Sequence, residues 1–338
     1  MSPNRTAPIA APMAVALFLT LVVACGDDGT TTPPPPGPIP DLHAIGSSTN
    51  QEFDQFAVGD DGTILHYQGL EWEKVASHTT VSLRGVTGIN LNTAFAVGDK
   101  GTILRWDGAI WTAENSNTTQ NLRAVWGTTV DNLIAVGDHG IILQRSGGVW
   151  NTVASGSTSA NWYGVYALAD GEAYAVGDAG TVAHRTGATW SAVTAFTTSR
   201  LRAVWAAPRE SPSPPHPRDW FAVGDNGEIW QERGSGWTPM VSPRTDDFYC
   251  IAGSDSAFVW AAGDADSILF YDGFDWRPKA PRYAGRLEGI WAFVCPLARA
   301  LPAAAAGLHC SNTYFAGTTS VVTRFTLLGS YEVMNDPR

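Results

Sequence analysis

A tetrapeptide, Ala-Val-Gly-Asp, recurs at nearly constant spacing and constrains the fold more than any other feature of the chain. Its five copies begin at Ala57, Ala96, Ala135, Ala175 and Ala222, and the variant Ala-Ala-Gly-Asp begins at Ala261. Successive copies are 39, 39, 40, 47 and 39 residues apart. A chain with such a period folds as a series of similar units that pack on one another.

Two further series share this period. Six tryptophans keep the same spacings, and they are Trp72, Trp111, Trp150, Trp190, Trp237 and Trp276. The other series consists of a large apolar residue, any residue, a small residue and a β-branched residue. Its seven copies begin at Leu42, Leu83, Leu122, Trp162, Leu201, Phe248 and Leu287. The chain therefore contains seven units, of which the last is the most divergent.

Each unit is predicted to form four short strands. In the third unit they are placed at 122–127, 132–137, 141–144 and 149–153, and in the last at 287–292, 314–317, 321–325 and 331–334. The Gly-Asp-x-Gly segment between the second and third strands predicts a tight hairpin. Its Asp is expected to form an Asx turn and its last Gly to adopt a positive φ.

A period near 40 residues built from four strands is typical of a β-propeller. We therefore predict an all-β fold over residues 41–338, a seven-bladed β-propeller of four-stranded antiparallel blades. Six blades are the alternative, if the last unit does not join the ring. No strand is left over at either end, so we expect the ring to close by packing and not by a swapped strand.

The repeated tryptophans are expected to fill the wedge between neighbouring blades, and sugar stacking is the alternative role. The repeated aspartates are expected to form turns, and they are Asp60, Asp99, Asp138, Asp178, Asp225 and Asp264. Calcium binding is the alternative for these carboxylates, but side chains one blade apart cannot share an ion. We predict no metal, no cofactor and no catalytic residue.

The second residue of each unit's first strand, which we call the inner strand, is polar. The position is occupied by His43, Arg84, Arg123, Tyr163, Arg202, Tyr249 and Glu288. These side chains are predicted to lie at one mouth of the central channel, beside the Asp turns. Two roles are open: the arginines pair with the aspartates and pin neighbouring blades, or the rim is partly cationic and holds an acidic peptide or a glycan.

The N-terminus predicts an exported lipoprotein. Residues 1–24 combine Arg5 with a short apolar run, as in a signal peptide, and the run is too short to span a bilayer. The segment Leu-Val-Val-Ala-Cys, ending at Cys25, resembles a bacterial lipobox, which implies that Cys25 carries lipid. Residues 25–40 are rich in proline and predict a semi-rigid tether. An ordinary signal peptide is the alternative.

Two insertions interrupt the repeats, at 207–219 and 293–312, and both fall between first and second strands. They are candidates for function, although surface loops also tolerate insertion without one. Cys295 and Cys310 lie within the second insertion, near its two ends, and are expected to form a disulfide after export. Cys250 occupies a small-residue position and is expected to be a buried, inert thiol.

The repeat Leu-Arg-x-Val-Trp-Gly, then Ala-Val-Gly-Asp-x-Gly-x-Ile-Leu, then Asp-Gly-x-x-Trp resembles bacterial BNR-type repeats and propellers of the photosystem II assembly factor type. The resemblance covers residues 41–338. It implies a seven-bladed propeller used for protein interaction. Sialidases share the architecture, but Asp107 precedes Trp111 by four residues where their Asp box has five. Sialidases of this class use a triad of arginines. Arg84, Arg123 and Arg202 instead occupy equivalent positions of the repeat, so the triad is not assigned to them.

Composition excludes some functions. The chain has 21 basic and 32 acidic residues, a formal charge of −11, and no Lys/Arg run, so we expect no nucleic-acid partner. We predict a monomeric, non-catalytic binding propeller, lipid-anchored to the bacterial envelope at the outer membrane or cell surface, with a protein or polysaccharide partner. The alternative is an exported glycosidase or lyase using carboxylates among Glu210, Asp219, Asp246, Asp247 and Glu288.

Overall fold

The computed structural model describes residues 40–47, 54–69, 71–155, 159–207, 219–264, 267–279, 286–292, 313–317, 322–325 and 331–333. Within these ranges the strands pair into seven four-stranded antiparallel sheets, each built from four consecutive strands. We call the sheets blades 1 to 7. Blades 1 to 6 are described with most of their side chains, and the last mainly through its strands.

The strands are numbered in chain order. The first strands of the blades are β1 (Leu42–Ser47), β5 (Leu83–Asn90), β9 (Leu122–Thr129), β13 (Trp162–Ala167), β17 (Leu201–Ala206), β21 (Phe248–Asp255) and β25 (Leu287–Ala292). The second strands are β2 (Gln55–Gly59), β6 (Thr93–Gly98), β10 (Asn132–Gly137), β14 (Ala173–Gly177), β18 (Trp220–Gly224), β22 (Phe258–Gly263) and β26 (Thr313–Gly317).

The third strands are β3 (Ile64–Tyr67), β7 (Ile103–Trp106), β11 (Ile142–Ser146), β15 (Val182–Thr186), β19 (Ile229–Glu232), β23 (Ile268–Tyr271) and β27 (Val322–Phe325). The fourth strands are β4 (Trp72–Val75), β8 (Trp111–Glu114), β12 (Val149–Thr152), β16 (Thr189–Val193), β20 (Trp237–Pro239), β24 (Trp276–Lys279) and β28 (Tyr331–Val333). The strands predicted for the third and the last unit are confirmed to within two residues at each end.

The first strands form the inner wall of the molecule. Each contacts the first strands of the two neighbouring blades, and β25 contacts both β21 and β1. This arrangement is a β-propeller of four-stranded antiparallel blades, as predicted. Because every described sheet consists of consecutive strands, no strand in the described ranges is exchanged between the two ends of the chain.

The fourth-strand tryptophans pack against the preceding blade. Trp111 is 2% exposed and lies edge-to-face on Phe56 of blade 1, with ring centroids 5.2 Å apart. Trp72, Trp150, Trp190 and Trp276 are also buried, whereas Trp237 is only partly buried. Large aromatic side chains thus fill the space between blades.

The Gly-Asp-x-Gly turns differ from the predicted Asx turns. In blades 1 to 5 they are single 3-10 turns; at Asp99–Gly101 the Thr102 N–H donates to the backbone oxygen of Asp99. The last Gly has a positive φ, as predicted (+70° at Gly101), and so does the middle residue, Lys100 (+55°). The Asp carboxylate is left available because backbone groups close the turn, and it bonds to the inner strands.

Several predictions fall outside the described residues. These are the signal peptide at 1–24, Cys25, the tether to residue 39, most of both insertions, and the Cys295–Cys310 disulfide. The strand bounds do place the insertions between β17 and β18 and between β25 and β26. In the described part of the chain, no helix has the length and apolar character needed to cross a membrane.

Candidate functional site

The inner strands enclose a central channel of about 480 Å³. Its lining includes the seven polar residues that the sequence predicted for one mouth. We call them the mouth ring: His43, Arg84, Arg123, Tyr163, Arg202, Tyr249 and Glu288. The structure therefore brings together all seven side chains, although 245 residues separate the first from the last.

A β-bulge at the same position in every inner strand places these side chains. In blade 2, Leu83 pairs with Gly98 and Gly85 with Val97, so Arg84 has no partner across the ladder. The same register shift occurs in the other six blades. A bulge turns its extra side chain away from the regular alternation, and this one turns it to the channel. The bulge was not predicted from the sequence.

The glycine of Ala-Val-Gly-Asp makes this geometry possible. A Cβ on Gly98 would lie 2.2 Å from the carbonyl oxygen of Ser82, which accepts a hydrogen bond from the Asp99 N–H at 3.0 Å. The start of the inner strand therefore passes directly over the glycine. This contact is the physical reason for the repeated Gly, and it is the sequence signal from which the bulge could have been inferred.

The mouth-ring side chains bond to the turn carboxylates of their own blades. Arg84 Nε and Nη2 lie 3.2 and 3.0 Å from Asp99, and Arg123 Nε lies 2.5 Å from Asp138. Arg202 bonds to Asp225 in the same way. The predicted Arg–Asp pairing is confirmed. These bonds join strands of one blade. Two of the arginines also pair with an aspartate of a neighbouring blade, because Arg84 Nη1 lies 3.8 Å from Asp60 and Arg202 Nη2 lies 3.4 Å from Asp247, the residue just before β21.

Stacked Arg and Tyr side chains also make contacts between blades. The Tyr163 ring lies between the guanidinium groups of Arg123 and Arg200, 5.0 and 4.9 Å from its centroid. Arg200 also donates from Nε to Asp178 of the preceding blade at 3.0 Å. Sequence reasoning missed Arg200 because its position, just before an inner strand, carries a basic residue in only two of the seven units.

Tyr249 has an equivalent position between Arg202 and Arg286, 4.3 and 4.5 Å from its ring centroid. Burial raises the pKa of Tyr249 to about 12, so the phenol remains protonated and donates to Asp264 at 3.0 Å. Arg286 donates to Asp264 at 2.8 Å and was also missed from the sequence. The ring thus alternates aromatic faces with paired charges.

His43 lies at the junction of the first and last blades. Its Nδ1 is 2.5 Å from Glu288 and its Nε2 is 2.8 Å from Asp60. Burial opposes a charge on this imidazole, but hydrogen bonds to two carboxylates outweigh it and raise the pKa of His43. The Nη1 of Arg84 is also only 2.9 Å from Nε2.

Below the mouth ring the channel is apolar. Its waist is a ring of β-branched side chains, Ile45, Val86, Val125, Val165, Val204, Ile251 and Ile290. Farther along, Trp126 stacks on Tyr166 with centroids 4.4 Å apart. The channel therefore has a charged, hydrogen-bonding entrance and an apolar interior.

Each described carboxylate among those proposed for catalysis is hydrogen-bonded to another side chain. Asp219 bonds to Arg233, Asp246 to Ser267 and Asp247 to Arg202. Glu288 bonds to His43, and Glu210 lies outside the described residues.

Other reactive groups are buried. Cys250 is a free thiol, 5% exposed, and burial raises its pKa, so it is the inert core residue predicted. Among the described residues, no group of three His, Cys, Asp or Glu side chains could hold a metal ion. The mouth-ring side chains themselves take part in hydrogen bonding, ion pairing and aromatic stacking.

Comparison with solved structures supports the fold. A structure described as "YCF48 bound to D1 peptide" superposes with a TM-score of 0.64 at 17% identity, covering 86% of this chain and 93% of that one. YCF48 from Cyanidioschyzon merolae gives 0.64 at 16% identity, with 86% and 97% covered. No protein-family model and no curated sequence matches the chain.

Proposed function

We propose that this propeller is a non-catalytic binding protein and that its mouth ring receives a segment of a polypeptide partner. The observation that carries the proposal is the bulge in all seven inner strands, which directs seven polar side chains to one channel entrance. Bulges are over-represented next to functional sites, where they redirect a side chain.

The chemistry of the entrance suits a peptide. Arg84, Arg123 and Arg200 each expose about a third of the side chain (32, 34 and 38%), so their guanidinium groups can bond to carbonyl or carboxylate oxygens while paired. Tyr163 adds an aromatic face, and the apolar waist can hold a side chain. The neighbour YCF48 was solved with a D1 peptide, which supports a peptide as the class of ligand.

We further propose that the protein is displayed on the bacterial envelope by a lipid on Cys25, with the proline-rich segment as a tether. The support is the sequence: the lipobox-like segment, the short apolar run before it, and six Pro residues among the eight residues from 33 to 40. A tethered propeller is free to meet partners in the envelope or at the cell surface.

Photo-crosslinking in intact cells tests the proposed ligand. A photoreactive phenylalanine is introduced at Tyr163, in the mouth ring, or at Phe274, a control on the opposite side of the disc that is 86% exposed. We expect the probe at position 163 to crosslink to a polypeptide, and we expect Arg123→Glu to reduce this crosslinking greatly. The probe at position 274 should not crosslink to the same polypeptide.

Protease and glycosidase treatment of the crosslinked product identifies its class. Equal crosslinking from both positions would overturn the mouth as the site. A product that resists protease but is shortened by glycosidases would overturn the polypeptide partner in favour of a polysaccharide.

A further inference from the structure

Two arginines occupy the same place in adjacent blades. Arg145 in β11 pairs across the sheet with Trp150, and Arg185 in β15 pairs with Trp190. Both are buried, at 5 and 6% exposure, and both reach toward the preceding blade. The channel and the mouth ring do not involve either residue, so they can be compared as two copies of one structural position.

Arg145 has a carboxylate partner. Glu114 of blade 2 accepts hydrogen bonds from its Nη2 at 2.9 Å and from its Nε at 3.0 Å. The same Glu114 accepts a third bond, 2.8 Å long, from the indole Nε1 of Trp150. The guanidinium also lies 5.2 Å from the ring centroid of Phe95. The Glu114 carboxylate thus neutralises the charge of Arg145 and accepts the hydrogen bond of the Trp150 indole.

Arg185 lacks this partner. The residue equivalent to Glu114, three positions after the tryptophan of the preceding blade, is Val153, which is shorter and has no acceptor. Arg185 Nη1 donates to Asn132 at 3.1 Å, but its Nε is buried with no acceptor within the described part of the chain. The indole Nε1 of Trp190 is also buried and unpaired, as are those of Trp72, Trp111 and Trp237, so the Arg185 Nε is the donor that distinguishes this junction.

The two unsatisfied donors are the counterparts of those that Glu114 satisfies one blade earlier. Buried donors and buried charges are costly when they have no partner, and a guanidinium prefers a planar, two-oxygen acceptor. Burial also lowers the pKa of Arg185, and no described carboxylate opposes that effect. We infer that the junction of blades 3 and 4 binds a carboxylate group from outside the described chain, held by Arg185 and by the Trp190 indole.

The carboxylate can belong to a small organic acid or to an Asp or Glu side chain of a polypeptide. Nuclear magnetic resonance of the ¹⁵N-labelled full chain tests the site, with the Trp190 indole signal assigned through Trp190→Phe. Acetate is titrated against chloride at constant ionic strength. We expect the Trp190 indole signal to shift with acetate only, while the Trp150 signal, already bonded to Glu114, stays in place.

Two variants at one position sharpen the result. Val153→Glu places a carboxylate where blade 2 has Glu114, so it should raise the Tm and abolish the acetate shift. Val153→Gln carries no charge, so it should raise the Tm less and leave more of the acetate shift. Arg185→Met should also abolish the shift. An unchanged Trp190 signal in wild type, or an acetate shift that persists in Val153→Glu, would overturn the proposal.

A second titration separates the two sources. A blocked Ala-Glu-Ala peptide, with its Gln analogue as control, is compared with acetate. Saturation at lower concentration by the Glu peptide than by acetate identifies a polypeptide side chain, and saturation at equal or higher concentration identifies a small acid. A response to the Gln peptide equal to the response to the Glu peptide would contradict recognition of a carboxylate.

Discussion

His43 in the first inner strand and Glu288 in the last are joined by a 2.5 Å hydrogen bond between Nδ1 and a carboxylate oxygen. Around them the two blades meet closely: a Cβ on Gly289 would lie 2.9 Å from the Cα of Ala44. Since each described blade uses only consecutive strands, the blades are held together here by such packing and by this bond. The junction is therefore the place where ring closure depends most on a single titratable side chain.

The stability of the ring is expected to fall as the pH rises past neutrality. The pKa of His43 is raised above its ordinary value of 6.5, so the unfolded chain loses the proton first. The stabilisation is fully present below pH 6.5 and is lost as the pH rises through the folded-state pKa. Urea unfolding between pH 5.5 and 8.5 measures it, and the difference between wild type and His43→Gln should shrink with rising pH.

Glu288→Gln is the matched control for that experiment. It keeps a hydrogen-bond acceptor but removes one carboxylate, and we expect it to lower the free energy of unfolding at pH 6 by about 1–3 kcal/mol. The pH dependence should be weaker than in wild type, because Asp60 alone then holds the imidazolium. A pH profile identical in wild type and both variants is incompatible with a role for His43 in closing the ring.

Trp111→Ala is expected to lower the free energy of unfolding by about 3–5 kcal/mol, because the indole is 2% exposed and fills the space between blades 1 and 2. The comparison is Trp237→Ala, at the one fourth-strand tryptophan of this series that is only partly buried. Its cost should be less than half as large. Chemical denaturation measures both, and a loss below about 1 kcal/mol at Trp111 would exclude a core role.

The repeat period predicted most of the fold. Four strands per unit, the positive φ of the turn glycines and the tryptophan positions all follow from local patterns that recur. The pairing of Arg84, Arg123 and Arg202 with aspartates was also predictable, because both residue types repeat at fixed offsets from the same strand. Repetition makes a local inference testable several times within one chain.

Features that depend on contacts between separate segments were not predicted. The bulge occurs in every blade and the repeated Gly marks it, but the sequence does not show which backbone segment lies over that glycine. Arg200 and Arg286 stack on tyrosines of neighbouring blades at positions where other units carry different residues. The missing carboxylate beside Arg185 becomes visible only when the partners of Arg145 are known. These particular side-chain contacts are not shared by all units, so three-dimensional coordinates are needed to find them.

Cys25→Ala is expected to abolish lipid attachment. If the lipobox-like segment is processed, labelling with a radioactive fatty acid should mark the wild-type chain and leave the variant unlabelled, because the thiol is the acceptor. The variant should also move from the membrane fraction to the soluble fraction of the envelope. Cys250→Ala is the control, since that thiol is buried in the propeller. Labelling that persists in Cys25→Ala would refute the anchor.

Counting thiols tests the cysteine assignments. With Cys25 lipidated and Cys295 bonded to Cys310, Cys250 is the one remaining thiol of the four cysteines. The native protein should react slowly with a thiol reagent because burial raises the pKa of Cys250. After denaturation without reductant one thiol per chain should react, and after reduction three. Three reactive thiols before reduction would contradict the disulfide.

Gly98→Ala tests the close approach that places the mouth ring. The new Cβ would lie 2.2 Å from the Ser82 carbonyl oxygen, a backbone atom that can move only with the start of β5. We expect a loss of about 2–3 kcal/mol in unfolding free energy, together with displacement of Arg84 and weaker crosslinking from the mouth. Gly187→Ala is the control: its φ is +61° but nothing lies within 4 Å, so the strain alone should cost about 1 kcal/mol. Equal costs at the two positions would show that the inner strand does not depend on this glycine.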